Sequence, residues 1–375
     1  MALFDPIIEK IADYTHTYEA QEASLQEAKT CFFDSLACAF LALEHKKVKD
    51  FCNISYIKDS SGPVRVIGTD IKTNPVDAAF LNGSLIRWLD FNDTWLAKEW
   101  GHPSDNLGAI ISLADYLNVK GIKEYSFKEI LNFMVIAHEI QGCLAIENSL
   151  NRQGLDHVAL VKVASASVAS RMMSQDPNKL RAAISNAFID GQSLRTYRHF
   201  PNTGARKSWA AGDATSRAVR LAMITLSGEM GYPGVLSAQK WGFEDVLFNG
   251  NQLSLSQPFG SYVMENVLFK ISFPAEFHAQ TAVEAAIILH PHIKDKLDQI
   301  KAIEVTTHES AIRIISKVGD LNNPADRDHC LQYMIAVGLI YGELKAEHYE
   351  DDFACNSVID QLREKMVIYE DKRYS

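Results

Sequence analysis

Sulfur chemistry has little to work with in this chain: there are six cysteines, at positions 31, 38, 52, 143, 330 and 355, and no two of them are spaced as C-x-x-C. Iron–sulfur clusters draw their thiolates from close-spaced cysteines, so that class of cofactor is not expected. Scattered cysteines of this kind read as small buried hydrophobes in a reducing compartment. No long basic tract offsets the formal net charge of −10, which argues against nucleic acid as a partner. The first residues, MALFDPIIEKIADY, place Asp5 and Glu9 where a secretory leader would be basic, and no uninterrupted apolar run is long enough to span a bilayer. A cytoplasmic protein without membrane contact is expected. Internal repeats, low-complexity tracts and flexible linkers are missing as well.

What is present suffices for two hydrophobic cores: 375 residues, 47% of them hydrophobic and 22% charged, so two domains are expected. Helical periodicity dominates the first two thirds. A helix starts at Ser24, with Phe32, Phe33, Leu36, Phe40 and Leu41 as its apolar face. Gly62-Pro63 breaks the chain and Val64–Ile67 reads as a short strand. Further helices are expected at 106–118, 126–141, 157–173, 177–188 and 207–227. The pattern changes after about residue 262. There Lys301–Thr307 alternates polar and apolar residues as a half-buried strand does, flanked by amphipathic helices at 276–290 and 324–342. A lone strand does not stand in water. Its partner must lie after Phe273, beyond the end of this chain, or in another subunit.

The stretch Trp88–Gly108, WLDFNDTWLAKEWGHPSDNLG, gathers carboxylates, tryptophans, a hydroxyl and a histidine. Asn74-Pro75 upstream reads as a cap followed by proline at the first helical position, predicting a helix towards Asn92. On that helix Val76, Phe80, Gly83, Arg87, Asp90 and Thr94 share one face. Burying Arg87 and Asp90 demands partners; the alternative is a surface ion pair. Ser104 or Asp105 can cap a second helix, which puts His102 at a helix N-terminus, where the dipole favours the neutral ring a general base needs.

Three other segments carry candidate chemistry. Asp156-His157 opens an apolar helix, with a structural histidine as the competing reading. From Asp190 to Ser208 the chain carries Arg195, Arg198, Arg206 and Lys207, four cations within thirteen residues. A glycine-containing loop entering a helix favours anions, and arginine forks suit carboxylates; the competing reading is a solvated basic patch. Lys270 stands among apolar neighbours, where partial burial suits it to acid–base work or to clamping a carboxylate, against a snorkelling lysine. Removing a proton beside a carboxylate builds a dianion, so such a site needs a base and clustered cations.

The segments WLDFNDTWLAKEWGHPSDNLG, AHEIQG, GLDHVALVKVASA, DGQSLRTYRH, ARKSWAAGDATSRAVR, VLFKISFPAEFHAQTAVEAA and LNNPADRDHCLQYM resemble the MmgE/PrpD family, and the likeness covers essentially the whole chain. The resemblance implies a mainly α protein, with a large all-helical domain over 1–262 carrying most site residues and a smaller α+β lid over 263–375. It implies an active site between the two, a homodimer, and chemistry without a cofactor or metal. Asp90 and Thr94 match the family's D-F-x-D-T positions, and His102 matches its H-P-S histidine. His157, Lys207 and Lys270 match a second histidine and two lysines lining the pocket. Arg195, Arg198 and Arg206 are added as carboxylate binders from charge clustering alone. Glu99-Trp100-Gly101 before His102 favours the branch that eliminates water from 2-methylcitrate; decarboxylation of cis-aconitate and a non-catalytic remnant are the alternatives. Members of the family continue past the point where this chain stops, so the lid is expected to be incomplete and the Lys301–Thr307 strand short of partners.

Overall fold

The computed structural model describes residues 3–189, 191–199 and 201–375, with the side chain of Lys58 left aside. The chain is mainly α-helical and divides into two compact units. The first comprises 1–88, 92–195 and 208–269, and the second 89–91, 196–207 and 270–375.

In the first unit the helices that matter here are α1 (Pro6–Thr17), α2 (Glu22–Ala42), α3 (Pro75–Arg87), α4 (Leu107–Val119), α5 (Phe127–Glu147), α6 (Val158–Met173), α7 (Pro177–Ile189) and α8 (Arg206–Leu226), the last of which crosses the division after Lys207. A two-stranded antiparallel ribbon, β1 (Val64–Arg65) with β2 (Lys72–Thr73), precedes α3. Helix α6 is the central post. It is built of alanine, serine and valine, is buried almost throughout, and packs against α1, α4, α5 and α7. Small residues let these helices close up. A methyl added to Gly108 of α4 would lie 2.6 Å from the Cα of Gly83 in α3, and one on Gly212 of α8 would lie 2.2 Å from the Phe80 carbonyl oxygen.

Helix α2 contradicts the expected apolar face. Its buried residues are Ser24, Leu25, Ala28, Cys31, Ser35, Cys38, Ala39 and Ala42, while Phe33, Phe40 and Leu41 are exposed. The helix packs against α3 and α5, and close helix crossings admit only small side chains. Helix α3 starts as predicted, with Asn74 Oδ1 accepting from the Val76 and Asp77 amides at 3.0 Å each. It stops at Arg87, short of the predicted Asn92. Asp90 turns into the left-handed region at φ 50°, which aspartate tolerates and a continuing helix does not. Asp90 and Thr94 are therefore not part of a helical stripe. Among the described residues α5 is long and apolar enough to cross a membrane by length and composition, and 89% of its apolar window is buried inside the fold.

The second unit packs α9 (Gln280–Ile293) against α11 (Leu331–Tyr341), and α11 against α12 (Ser357–Glu364), with α10 (Glu309–Ile315) alongside. Its core gathers Val283, Ala286, Ala311, Ile315, Met334, Val337 and Leu362. Strand β3 (Ile303–Thr307) pairs in parallel with β4 (Met366–Glu370), Ile303 opposite Met366. The strand expected to be short of partners thus finds one after Phe273, the first of the three places expected for it, across the helical crossover that parallel pairing requires. The helix expected over 324–342 is interrupted: a short turn, Pro324–Arg327, precedes α11, and Asp328, His329 and Cys330 lie in the break.

Candidate functional site

Two clusters of buried charge carry the candidate residues, one in each unit. In the first unit, Trp95 and Gly101 bridge across a loop, and a single 3-10 turn, Pro103–Asn106, precedes α4 with His102 at its N-cap. The predicted side-chain cap from Ser104 or Asp105 is not made; Asn106 is the N-cap of α4. His102 is buried, and its Nδ1 lies 2.6 Å from the Asp93 carbonyl oxygen. A carbonyl only accepts, so Nδ1 carries the hydrogen and the neutral ring keeps its lone pair on Nε2.

The His157 ring lies 5.7 Å from that of His102. His157 is the N-cap residue of α6, while the Asp156 carboxylate before it accepts from the Val158 amide at 3.3 Å. His157 Nδ1 is 3.3 Å from Asp156 Oδ1, and its Nε2 is 3.9 Å from Asp105 Oδ2. Gly101 presses on the same ring: an added methyl would sit 3.1 Å from His157 Cδ2. Asp105 also faces Arg87 at 3.9 Å, and Asp156 faces Arg195 at 3.4 Å. The Arg195 guanidinium lies over the Trp100 ring at 5.2 Å. Thr94 is held by a backbone bridge to Leu268, and its buried Oγ1 makes no hydrogen bond among the described residues.

In the second unit Lys270 Nζ donates to Asp90 Oδ1 at 2.8 Å and to the Asp90 carbonyl. Its side chain is 0% exposed, so it is not a snorkelling lysine. Lys207 Nζ lies 4.0 Å from Asp90 Oδ2 and 2.9 Å from His329 Nδ1, and pairs with Asp328. Burial and the neighbouring Lys207 charge push His329 down to about 4. Burial raises the Asp328 carboxyl, but Lys207 and His329 outweigh it and hold it below its ordinary value. Close by, Glu276 Oε1 is 2.8 Å from His278 Nδ1; despite burial, His278 draws the Glu276 carboxyl down to about 2.

The basic run does not form one patch. Arg195, Arg198 and Lys207 are buried rather than solvated, and the division between the units falls after Arg195. Arg198 and Arg206 lie over the Tyr197 ring at 5.3 and 5.4 Å. Asp190, at the head of the run, lies outside the described residues.

The family model for the MmgE/PrpD N-terminal domain matches residues 9–256, and that for the MmgE/PrpD C-terminal domain matches residues 273–375. The chain belongs to the MmgE/PrpD family. It is 53% identical to 2-methylcitrate dehydratase of Salmonella typhimurium over 382 residues, 99% of this chain and 79% of that protein. The same identity and coverage hold against 2-methylcitrate dehydratase of Escherichia coli. A mitochondrial 2-methylcitrate dehydratase of Yarrowia lipolytica is 53% identical over 392 residues, 99% of this chain and 73% of that protein.

For this MmgE/PrpD chain, sequence reasoning missed several residues of the two clusters. Asp93 joins His102, Ser104 and His138, and Asp328-His329 flanks Lys207. The one available signal for the latter was a charged Asp-His pair directly before the apolar run Leu331–Ile340. Cys31, Asp93 and His138 also place their ligand atoms within 4.8 Å of one another, an arrangement able to hold a metal; in this structure the same atoms lie within hydrogen-bonding reach of one another. Burial, followed by the Asp93 charge, pushes the Cys31 thiol well up, so the thiol keeps its proton.

Proposed function

We propose that this chain eliminates water from 2-methylcitrate to give 2-methyl-cis-aconitate, a step of propionate breakdown through the methylcitrate cycle. The observation that carries this reading is the buried His102–His157 pair, with His102 held through Nδ1–H to the Asp93 carbonyl as the tautomer that keeps its lone pair on Nε2. It stands in a chain whose relatives of that name match 99% of its length.

His102 removes the proton from the carbon next to a carboxylate. The C–H electron pair becomes the new C=C bond as the neighbouring C–O bond breaks, and His157 protonates the departing hydroxyl to give water. In the first unit Arg195 holds a substrate carboxylate beside the two histidines and the charge that builds on it; in the second, Lys207, Lys270, Arg198 and Arg206 are cations suited to carboxylates. Asp90 keeps the two lysines buried before substrate arrives, and Thr94 offers a hydroxyl to the substrate.

The working form is a homodimer in the cytoplasm. Six free thiols, five of them buried, support a reducing compartment. The exposed apolar face of α2 supports a second copy.

The test is turnover of 2-methylcitrate followed by unsaturated-acid absorbance. His102→Asn is expected to lower kcat by about a hundredfold or more, and a parental rate removes His102 from the mechanism. Carbon dioxide released from cis-aconitate, with no product from 2-methylcitrate, moves the assignment to decarboxylation. Folded protein that turns over neither acid makes it a non-catalytic member.

A further inference from the structure

We propose that the buried Asp93–His138 pair is the positioning device that sets the tautomer of His102, an inference that rests on reading His102 as the acid–base of the site.

Asp93 is 0% exposed, and its oxygens are engaged from several directions. Its carbonyl accepts from His102 Nδ1–H at 2.6 Å. Its two carboxylate oxygens accept the Ser104 amide at 3.1 and 3.2 Å, and Oδ2 also lies 3.1 Å from His138 Nε2. One residue therefore grips both ends of His102-Pro103-Ser104. The neighbour on the same strand of loop, Asn92, holds the turn a second time through Ser104 Oγ at 2.8 Å and Asp105 Oδ1 at 3.1 Å.

His138 ties this loop to the interior of α5. Its Nδ1 lies 2.8 Å from the Met134 carbonyl, which only accepts, so Nδ1 carries a hydrogen. The Nε2 contact with Asp93 then requires one further proton, shared between imidazole and carboxyl. Wherever that proton sits, it joins the carboxyl to the helix by a hydrogen bond between two buried side chains, where the low local dielectric strengthens such bonds. Cys31 Sγ closes the cluster at 3.5 Å from His138 Nε2 and 3.7 Å from Asp93 Oδ2. On another side His102 faces His157 at the start of α6, which in turn meets Asp105, paired with Arg87 of α3, and Asp156, paired with Arg195. With the Asp93 peptide fixed, His102 presents an unprotonated Nε2 at every turnover. With it loose, the imidazole is free to take the opposite tautomer, and the base is lost without any change at the residues that hold substrate.

The readout is the tautomer itself, seen by two-bond proton–nitrogen correlation on 15N-histidine-labelled protein at about pH 8.5, where histidine is ordinarily neutral. His102 is assigned by the signal that His102→Asn removes. The intact protein is expected to show Nδ1–H and a bare Nε2 at His102. In Asp93→Ala and His138→Ala the Nε2–H form is expected to appear, with kcat down by about ten- to a hundredfold and KM within about twofold. Asp93→Asn still accepts the Ser104 amide and can donate to His138 Nε2, so it is expected to keep the tautomer and at least half of kcat. A role in stability alone would lower the unfolding midpoint and leave the tautomer unmoved. The proposal is overturned if His102 of the intact protein carries its hydrogen on Nε2, a result that needs no variant to fold. It is equally overturned if Asp93→Ala and His138→Ala keep both tautomer and kcat. The spectrum is recorded without substrate, so absence of dehydratase activity would sink the functional reading and leave this one to be judged by itself.

Discussion

Glu99 shows how strongly a single buried carboxyl constrains this protein. It is 0% exposed. Its Oε2 accepts two hydrogen bonds from Asn151 at 2.7 Å each, and Oε1 makes none among the described residues. Burial is the largest influence and raises the carboxyl to about 7, against the opposing pull of Arg195 and the Asn151 donors. The folded value lies above the unfolded one, so the folded chain holds an extra proton between pH 4.5 and 7. Stability from this group is complete below pH 4.5 and is lost as pH rises through 7. The displacement corresponds to about 3 kcal/mol. Glu99→Gln is therefore expected to raise stability at pH 8 by up to about 3 kcal/mol and to leave it nearly unchanged at pH 4. Urea unfolding at the two pH values checks this; an equal gain at both would refute it. The sequence pointed to His102 from its turn, to Lys270 from its apolar neighbours and to Lys207 from the basic run, each with the help of the family resemblance, and the structure buries all three. Asp93 and Asp328 did not stand out. Each earns its place through partners 45 and 121 residues away, and a local pattern carries no record of such pairings.

Helix boundaries were legible where local chemistry sets them, and helix faces were not. Asn74-Pro75 fixes the start of α3 because a capping amide acceptor and a preset proline φ are local properties. Its end was misjudged because Asp90 departs from helix through a backbone choice that aspartate permits but does not announce. In α2 the sequence offers apolar residues on more than one face, so periodicity cannot say which is buried. Tight crossings with α3 and α5 took the small residues and left Phe33 and Phe40 at 54% and 52% exposure. The Phe33 and Phe127 rings sit 6.3 Å apart, which extends this apolar face onto α5. If that face seats a second copy, Phe33→Glu combined with Phe40→Glu is expected to give a protein of single-chain mass by light scattering, with helix content unchanged by circular dichroism. The parent is expected at twice the chain mass. A double variant that stays dimeric removes α2 from the interface.

At the scale of the whole molecule, Glu99 of the first unit and His329 of the second respond to pH in opposite directions, while the lowered Asp115 and Glu129 carboxyls of the first unit run with His329. The first carries Glu99, whose contribution is lost as pH rises from 4.5 through 7. The second carries His329, lowered to about 4 by burial and by Lys207. A histidine with a depressed folded value contributes stability that is present above its unfolded value of 6.5 and lost as pH falls towards 4. His308 and His348, both lowered by burial, run the same way, while His278, raised chiefly by Glu276 against its burial, runs against them. Glu276, drawn down to about 2, adds a further loss between pH 4.5 and 2. The excursions of Leu89–Phe91 and Thr196–Lys207 into the second unit were not legible in the sequence, since nothing in their composition marks a change of core. They do leave a useful asymmetry. All five tryptophans, at 88, 95, 100, 209 and 241, belong to the first unit, so tryptophan fluorescence follows that unit alone and far-ultraviolet circular dichroism follows both. In urea at pH 5, circular dichroism is expected to lose amplitude before tryptophan fluorescence changes, because the second unit has there lost most of the His329 contribution while the first keeps that of Glu99. At pH 8 the gap is expected to close or reverse, as Glu99 becomes charged and His329 recovers its full contribution. Coincident transitions at both pH values, or the reverse order at pH 5, would show that the units do not divide the pH response in this way.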